Sequence, residues 1–201
     1  MTQYNLTKLD KKLQKELDYD RYRHTVGVMF TSASLAMRYG YDLNHAQTAG
    51  LLHDCAKCIP NEKKLKLCEK YGLEVTETEI KAPYLLHAKL GSYLAKEKFG
   101  VDDPQILGAI RWHTTGKPAM TLLEKIVFIA DYIEPMRQKA ENLPVIREMA
   151  FRDLDRAVYL TLRDTLRYLG KGDVTREVDK MTEKAFQYYE MVMAERENDD
   201  E

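Results

Sequence analysis

Ala46-Gln-Thr-Ala-Gly-Leu-Leu-His53-Asp54 is a largely apolar helical stretch, Ala46 to Leu52, closed by an imidazole and a carboxylate. Its apolar character places the end of the helix inside the fold. A buried imidazole needs a partner for each ring nitrogen, and a buried carboxylate needs a counter-charge. An adjacent His-Asp pair at such a helix end therefore points first to a transition-metal site.

The chain has five histidines, at 24, 45, 53, 87 and 113. Four of them fall in segments that read as amphipathic or buried helices. A single one would be read as a core histidine satisfied by a backbone carbonyl. Several facing inward from different helices, together with carboxylates, point to one shared partner such as a metal ion.

Apolar residues recur at spacings of three and four along nearly the whole chain, and alternating runs bounded by turn signals are almost absent. The fold class is all-α, a single-domain helical bundle. The first predicted helix runs from Leu6 to Leu17. The second starts near Asp20, carries His24, Val28 and Leu35 on its apolar side and stops at Gly40. Asp42 or Asn44 caps the His-Asp helix. After Pro60-Asn61 comes a lysine-rich, solvent-facing helix ending near Gly72, then one from Pro83 to Phe99 with His87 in its first turns and Gly100 as its stop. Asp102-Asp103-Pro104 opens the helix from Gln105 to Trp112, which delivers His113 at its end. Residues 114–118 read as a loop. The most apolar helix spans Leu122 to Ile133, so the carboxylate of Asp131 is predicted to point into the bundle, where it needs pairing or a metal. Two more amphipathic helices follow from Pro144. One domain, 1–201, thus has a motif core at about 20–137, C-terminal helices over 138–194 and a charged, frayed tail over 195–201.

A chain of 201 residues suits one domain with a substantial core. Lys and Arg total 31 against 32 for Asp and Glu, a balance that argues against a generally basic surface for a nucleic-acid polymer and still permits a local basic pocket. No run of eighteen apolar residues appears, so no membrane span is expected, and Met-Thr-Gln-Tyr-Asn-Leu lacks the order of a signal peptide. The expectation is a cytoplasmic protein. Three cysteines agree with a reducing compartment. Cys55 and Cys58 are spaced Cys-x-x-Cys, but a zinc knuckle would bring a second pair and a thioredoxin-like site would need a βαβ context. Both read as small apolar fillers.

His24 and Asp131 can join His53 and Asp54 from other helices. Two imidazoles and two carboxylates suit iron, manganese, zinc or a similar divalent ion. Asp54 could also bridge to a second ion held by His87 and His113, in a pair roughly 3.5–4 Å apart as in two-metal hydrolases. With one ion only, His87 and His113 are left to contact phosphate, and both arrangements stay open. Lys57, three residues after Asp54, could set a charge on a phosphate. Arg21 lies three before His24 on the same helix face, Arg137 follows Asp131 by six, and Thr114 offers a hydroxyl beside His113. Lys89 and Lys117 read as solvated, and His45 as remote from the site. Tyr22, Trp112 and Tyr132 are read as core residues first and as a nucleoside pocket second.

Arg21-Tyr-Arg-His24, Leu51-Leu-His53-Asp54-Cys-Ala-Lys57, Leu86-His87, Trp112-His113-Thr-Thr-Gly116 and Ala130-Asp131-Tyr-Ile-Glu-Pro135 occur in that order. In this series the chain resembles the HD-domain metallo-phosphohydrolases, and within them the YqeK-type symmetrical bis(5′-nucleosyl)-tetraphosphatases of bacteria. The resemblance runs from about Asp20 to Arg137. It implies hydrolysis of diadenosine tetraphosphate, or a related dinucleoside polyphosphate, to two nucleoside diphosphates by metal-activated water. It also implies that His24, His53, Asp54 and Asp131 are the metal ligands, and that His87 and His113 hold a second ion or face the phosphates. The implied catalytic set is Asp54, Lys57, His87 and His113, and the substrate is bound by these with Arg21, His24, Thr114, Asp131 and Arg137. The cofactor is one or two divalent transition-metal ions, iron first, with manganese, cobalt or zinc as alternatives.

The alternatives are an HD-domain hydrolase of another nucleotide or phosphate ester, and a non-catalytic nucleotide sensor. Oligomeric state is left open, a homodimer included.

Overall fold

The computed structural model describes residues 2–140, 142–170 and 178–199, and within them every regular element is helical. The helices are α1 (Leu6–Leu13), α2 (Tyr19–Tyr39), α3 (Leu43–Leu52), α4 (Asn61–Lys70), α5 (Glu77–Lys81), α6 (Leu86–Glu97), α7 (Pro104–Trp112), α8 (Leu122–Ile133), α9 (Leu143–Ala150), α10 (Leu154–Gly170) and α11 (Lys180–Asp199). No helix among the described residues is long and apolar enough to cross a membrane.

At the centre lies α3, buried along nearly its whole length from His45 to Leu52. It packs against α2, α7 and α8, and α2 and α7 also pack on α8. Leu51 and Leu52 are fully buried, each contributing roughly 1.5–3 kcal/mol as an upper estimate. The approach of α2 to α3 is close enough to require glycine. A Cβ on Gly50 would stand 2.8 Å from Ser32 Oγ and 3.0 Å from the Met29 backbone. That contact carries the end of α3, and with it His53, into the middle of the bundle.

Side chains at the helix starts set the boundaries that position the site. Asp18 caps α2 by accepting from Arg21 N–H, Asp42 caps α3 by accepting from His45 N–H, and Asp103 does the same for α7. Thr121 and Glu124 form a capping box at the start of α8. The predicted span of α8, Leu122 to Ile133, is the observed one.

Several sequence-based boundaries need correction. The first helix ends at Leu13, because Asp18 must be extended to cap α2 and the chain leaves the helix before it. The short α5 was not predicted; its five residues are too few to show a period, and a capping box between Thr76 and Glu79 holds it. Residues Pro83–Leu85 form a 3₁₀ turn ahead of α6. After Asn142 there are three helices where two were expected, since the chain turns between Ala150 and Leu154 and Asp153 caps the new start by accepting from Arg156 N–H. Residues 195–199 continue α11, with Arg196 paired to Asp155 at 2.6 Å and to Asp153 at 3.2 Å; residues 200 and 201 lie outside the described part. The solvent-facing reading of α4 fails at Lys64, which is buried with its ammonium on Asn61 Oδ1. Lys89 is not solvated either: it donates to Glu79 Oε2 at 2.6 Å and to the Glu74 carbonyl.

Candidate metal centre

Helix ends leave their last carbonyls without partners, and two of the site histidines use that vacancy. His53 and His113 are the C-cap residues of α3 and α7, and each ring Nδ1 lies 2.7 Å from the carbonyl three residues back, Gly50 and Ile110. His87, in the first turn of α6, makes the same bond to the Tyr84 carbonyl. A carbonyl only accepts, so these partners assign the proton to Nδ1 and leave a lone pair on each Nε2.

The Nε2 atoms converge on two carboxylates. Asp54 Oδ1 lies 3.2 Å from His87 Nε2 and 3.5 Å from His113 Nε2, and Asp54 Oδ2 lies 3.5 Å from His53 Nε2. Asp131 Oδ1 is 3.0 Å from His24 Nε2 and 3.9 Å from His53 Nε2. His24 Nε2, His53 Nε2 and Asp54 Oδ1 are nonetheless buried without a hydrogen-bond partner, the 3.0 Å approach of His24 to Asp131 lacking hydrogen-bond alignment. Three desolvated ligand atoms that do not satisfy one another are costly by themselves, and a shared cation removes that cost. Two sets of atoms can hold one, His24, His53 and Asp131, and His53, Asp54 and His113; in each, the donor atoms lie within 4.8 Å of one another. Imidazole nitrogen with carboxylate oxygen is a donor set for a divalent transition metal.

The charge states of Asp54, Asp131 and His53 match. The Asp54 carboxyl lies well below the usual carboxylate range despite its burial, and the Arg21 guanidinium stands 2.9 Å from Oδ2 as a fixed counter-charge. Burial likewise works against ionisation of Asp131, and His24, His53 and Arg137 hold it well below that range. Burial pushes His53 down, and pushes His87 down to about 4, so both rings are neutral near pH 7. Burial also works against the His24 imidazolium, but Asp131 and Glu134 outweigh it and leave His24 above the ordinary histidine value.

Basic groups ring the centre. Arg21 Nη1 sits 2.9 Å from Asp54 Oδ2, and Arg137 donates to Asp131 Oδ1 at 3.1 Å and to the Asp131 carbonyl at 3.0 Å. Both guanidiniums are about one-third exposed, toward a cavity of about 680 Å³ lined also by Asp18, Asp20, Arg23, His24, Glu134 and Met136. Lys57 Nζ reaches His87 Nε2 at 3.0 Å and Asp54 Oδ1 at 3.7 Å. Thr114 Oγ1 lies 3.0 Å from His113 Nε2 and 3.1 Å from His87 Nε2.

The structure thus brings every residue of the sequence-based set, Arg21, His24, His53, Asp54, Lys57, His87, His113, Thr114, Asp131 and Arg137, into one contiguous cluster. His45 stands apart, buried against the Thr2 carbonyl at 2.9 Å. Tyr22 spends its hydroxyl on Asp10, and Tyr132 packs on the core. Trp112 lines a separate cavity of about 230 Å³ beside Lys89 and Thr115. Glu134 was missed. It is buried, accepts from His24 Nδ1 at 3.1 Å, and follows Asp131 by three residues, one helical turn away within the quoted Ala-Asp-Tyr-Ile-Glu-Pro series.

The HD domain family model matches residues 21–136. The chain is 41% identical over 161 residues to the symmetrical bis(5′-nucleosyl)-tetraphosphatase of Bacillus subtilis, covering 79% of this chain and 84% of that protein. It is 32% identical over 173 residues to the protein of the same name from Staphylococcus aureus, covering 85% and 88%. Among solved structures, that of a predicted HD superfamily hydrolase from Clostridium acetobutylicum, described as involved in NAD metabolism, superposes with a TM-score of 0.89 at 38% identity. It covers 95% of this chain and all of that one. With a helical fold, a His-Asp centre and this similarity in hand, the chain belongs to the HD-domain family and, within it, to the symmetrical bis(5′-nucleosyl)-tetraphosphatases.

Proposed function

We propose that this protein hydrolyses diadenosine tetraphosphate and related dinucleoside polyphosphates symmetrically, with His24, His53, Asp54 and Asp131 holding the divalent ion. The observation that carries the reading is the set of unpartnered ligand atoms, His24 Nε2, His53 Nε2 and Asp54 Oδ1, beneath a cavity to which Arg21, Arg23 and Arg137 contribute. A divalent ion bound by such a set acidifies water and draws charge from a phosphoryl oxygen, which makes water an effective nucleophile near neutral pH.

The chain's own residues supply the rest. The exposed faces of Arg21 and Arg137 receive the polyphosphate, each guanidinium offering paired N–H donors to phosphate oxygens. Lys57 and Thr114 donate to oxygens of the attacked phosphoryl group from the His87 and His113 side. Attack by water oxygen on a central phosphorus breaks its bond to the bridging oxygen; one nucleoside diphosphate leaves with that oxygen, the other keeps the oxygen of water, and the proton that water loses passes to solvent. Lys57 stabilises the charge that develops there.

One resident ion is favoured over two, because the ammonium of Lys57 already supplies the cation between Asp54 and His87. A second ion on His87 and His113 requires Lys57 to withdraw. Iron is the first ion to test, followed by manganese, cobalt and zinc, and the setting proposed is the cytoplasm.

The deciding experiment is turnover of diadenosine tetraphosphate by metal-free protein reconstituted with each ion, with products resolved by anion exchange. Two ADP per substrate, dependent on metal, supports the reading. ATP plus AMP, or no turnover with any ion, overturns it in favour of another phosphate ester or a sensor.

A further inference from the structure

Glu134 lies outside the ligand set, yet its side chain is only 2% exposed. Both carboxylate oxygens are committed: Oε1 accepts from His24 Nδ1 at 3.1 Å and Oε2 accepts from Met136 N–H at 2.6 Å. Among the described residues its one ion-pair partner is His24. A buried carboxylate is expensive to keep unless its position is used.

The four site imidazoles show what that use is. His53, His87 and His113 sit at helix ends or in a first turn, where a carbonyl three residues back is open to the ring Nδ1–H. His24 is inside α2, whose carbonyls there are taken by the helix itself. Its ring cannot be oriented from its own backbone and needs an acceptor from another element. Glu134, just past the end of α8, supplies it.

The opposite wall is built to admit this carboxylate. Gly27 lies one turn after His24 on α2, and a Cβ there would stand 2.7 Å from Glu134 Oε2 and 3.4 Å from its Cδ. Any side chain at 27 displaces the carboxylate. The oxygen is the end of a side chain, but the carboxylate is pinned by one hydrogen bond on each oxygen and is enclosed.

We propose that Glu134 is a positioning residue for the metal ion, seated by Gly27. It fixes the His24 proton on Nδ1, so that Nε2 is the atom presented to the ion. Such outer partners of a metal-bound histidine set ring orientation and ligand basicity. The inference rests on the metal-centre reading above.

The test is cobalt binding by metal-free protein, read from visible absorbance with chelator competition, alongside the melting temperature of the metal-free form. Glu134→Gln retains one acceptor for two N–H donors, and Gly27→Ala pushes the carboxylate aside. Each is expected to weaken cobalt binding by about 10–100-fold with little change in metal-free melting. Gly27→Ala is expected to cost nothing further in a Glu134→Ala background, where the clash is gone. Should the variants not fold, ¹⁵N imidazole spectra of the zinc-loaded wild type decide: protonated Nδ1 and metallated Nε2 on His24 support the assignment, and metallated Nδ1 overturns it. Cobalt binding by wild type with unchanged affinity in both variants overturns the role of Glu134 alone. Absence of cobalt binding by wild type overturns the metal centre, and this inference with it.

Discussion

Lys57 Nζ donates to His87 Nε2 at 3.0 Å, and because His87 Nδ1 is spent on the Tyr84 carbonyl, that nitrogen is a pure acceptor. The same ammonium lies 3.7 Å from Asp54 Oδ1. A surface lysine is therefore held one turn past the His-Asp pair as a fixed positive charge at the centre. Lys57→Met is expected to lower kcat by on the order of 10-fold or more while the ion at His24, His53, Asp54 and Asp131 stays bound. Elemental analysis of the same variant should show occupancy rising toward a second ion. An unchanged rate would exclude Lys57 from the chemistry.

Asp54 contacts three imidazoles and Arg21, so it cannot be removed without disassembling the site. His53→Ala and Asp54→Ala are expected to abolish metal binding and turnover while far-UV circular dichroism stays close to wild type. Full activity in either variant would sink the assigned site.

Metal removal should be visible in stability as well as in rate. A ligand that binds only the folded state at about 100 times its Kd adds about 2.7 kcal/mol. For a domain of this size that is a rise in Tm on the order of 5–10 °C. Thermal unfolding with and without the ion measures it, and coincident curves would contradict a resident metal.

The thiols should differ sharply in reactivity. Cys55 is buried and burial pushes its thiol up to about 12, and Cys68 is buried as well, whereas Cys58 is exposed. A chromogenic disulfide reagent is expected to titrate one thiol quickly in the native protein and all three in denaturant. Fast reaction of two or more in the native state would contradict the packing around Cys55 past the end of α3 or around Cys68 between α4 and α6.

Acid should loosen the attachment of α11. Burial works against ionisation of Asp155, but Lys125 and Arg196 outweigh it and hold its carboxyl below the ordinary value of 3.8. A folded pKa below the unfolded one means that the contribution is complete above that ordinary value and is lost as pH falls toward the folded one. Asp155→Asn should cost about 1 kcal/mol at pH 7 and flatten the decline in stability below pH 4. Urea unfolding at several pH values checks it, and parallel curves for variant and wild type would remove Asp155 from the acid response.

Helix existence was legible wherever a period ran long or a cap was explicit. The span of α8 follows from a continuous apolar face behind the Thr121–Glu124 box. Lengths set by a neighbour were not legible: α1 stops early because Asp18 is needed as the cap of α2. The burial of Lys64 was equally invisible, since one lysine among several on α4 differs only in what packs on it.

The sequence by itself determined that His53 and His113 fall at helix ends and His87 in the first turns of its helix, because capping and periodicity are local and depend on residues three or four apart. It also carried the family motifs in order. Only the tertiary structure decided which atoms of those histidines face one another. His24 Nε2 meets Asp131, and its Nδ1 meets Glu134 across a separation of 110 residues. The gap that admits Glu134 is a missing Cβ on a different helix. Close packing between distant segments makes such contacts, and no local period encodes them.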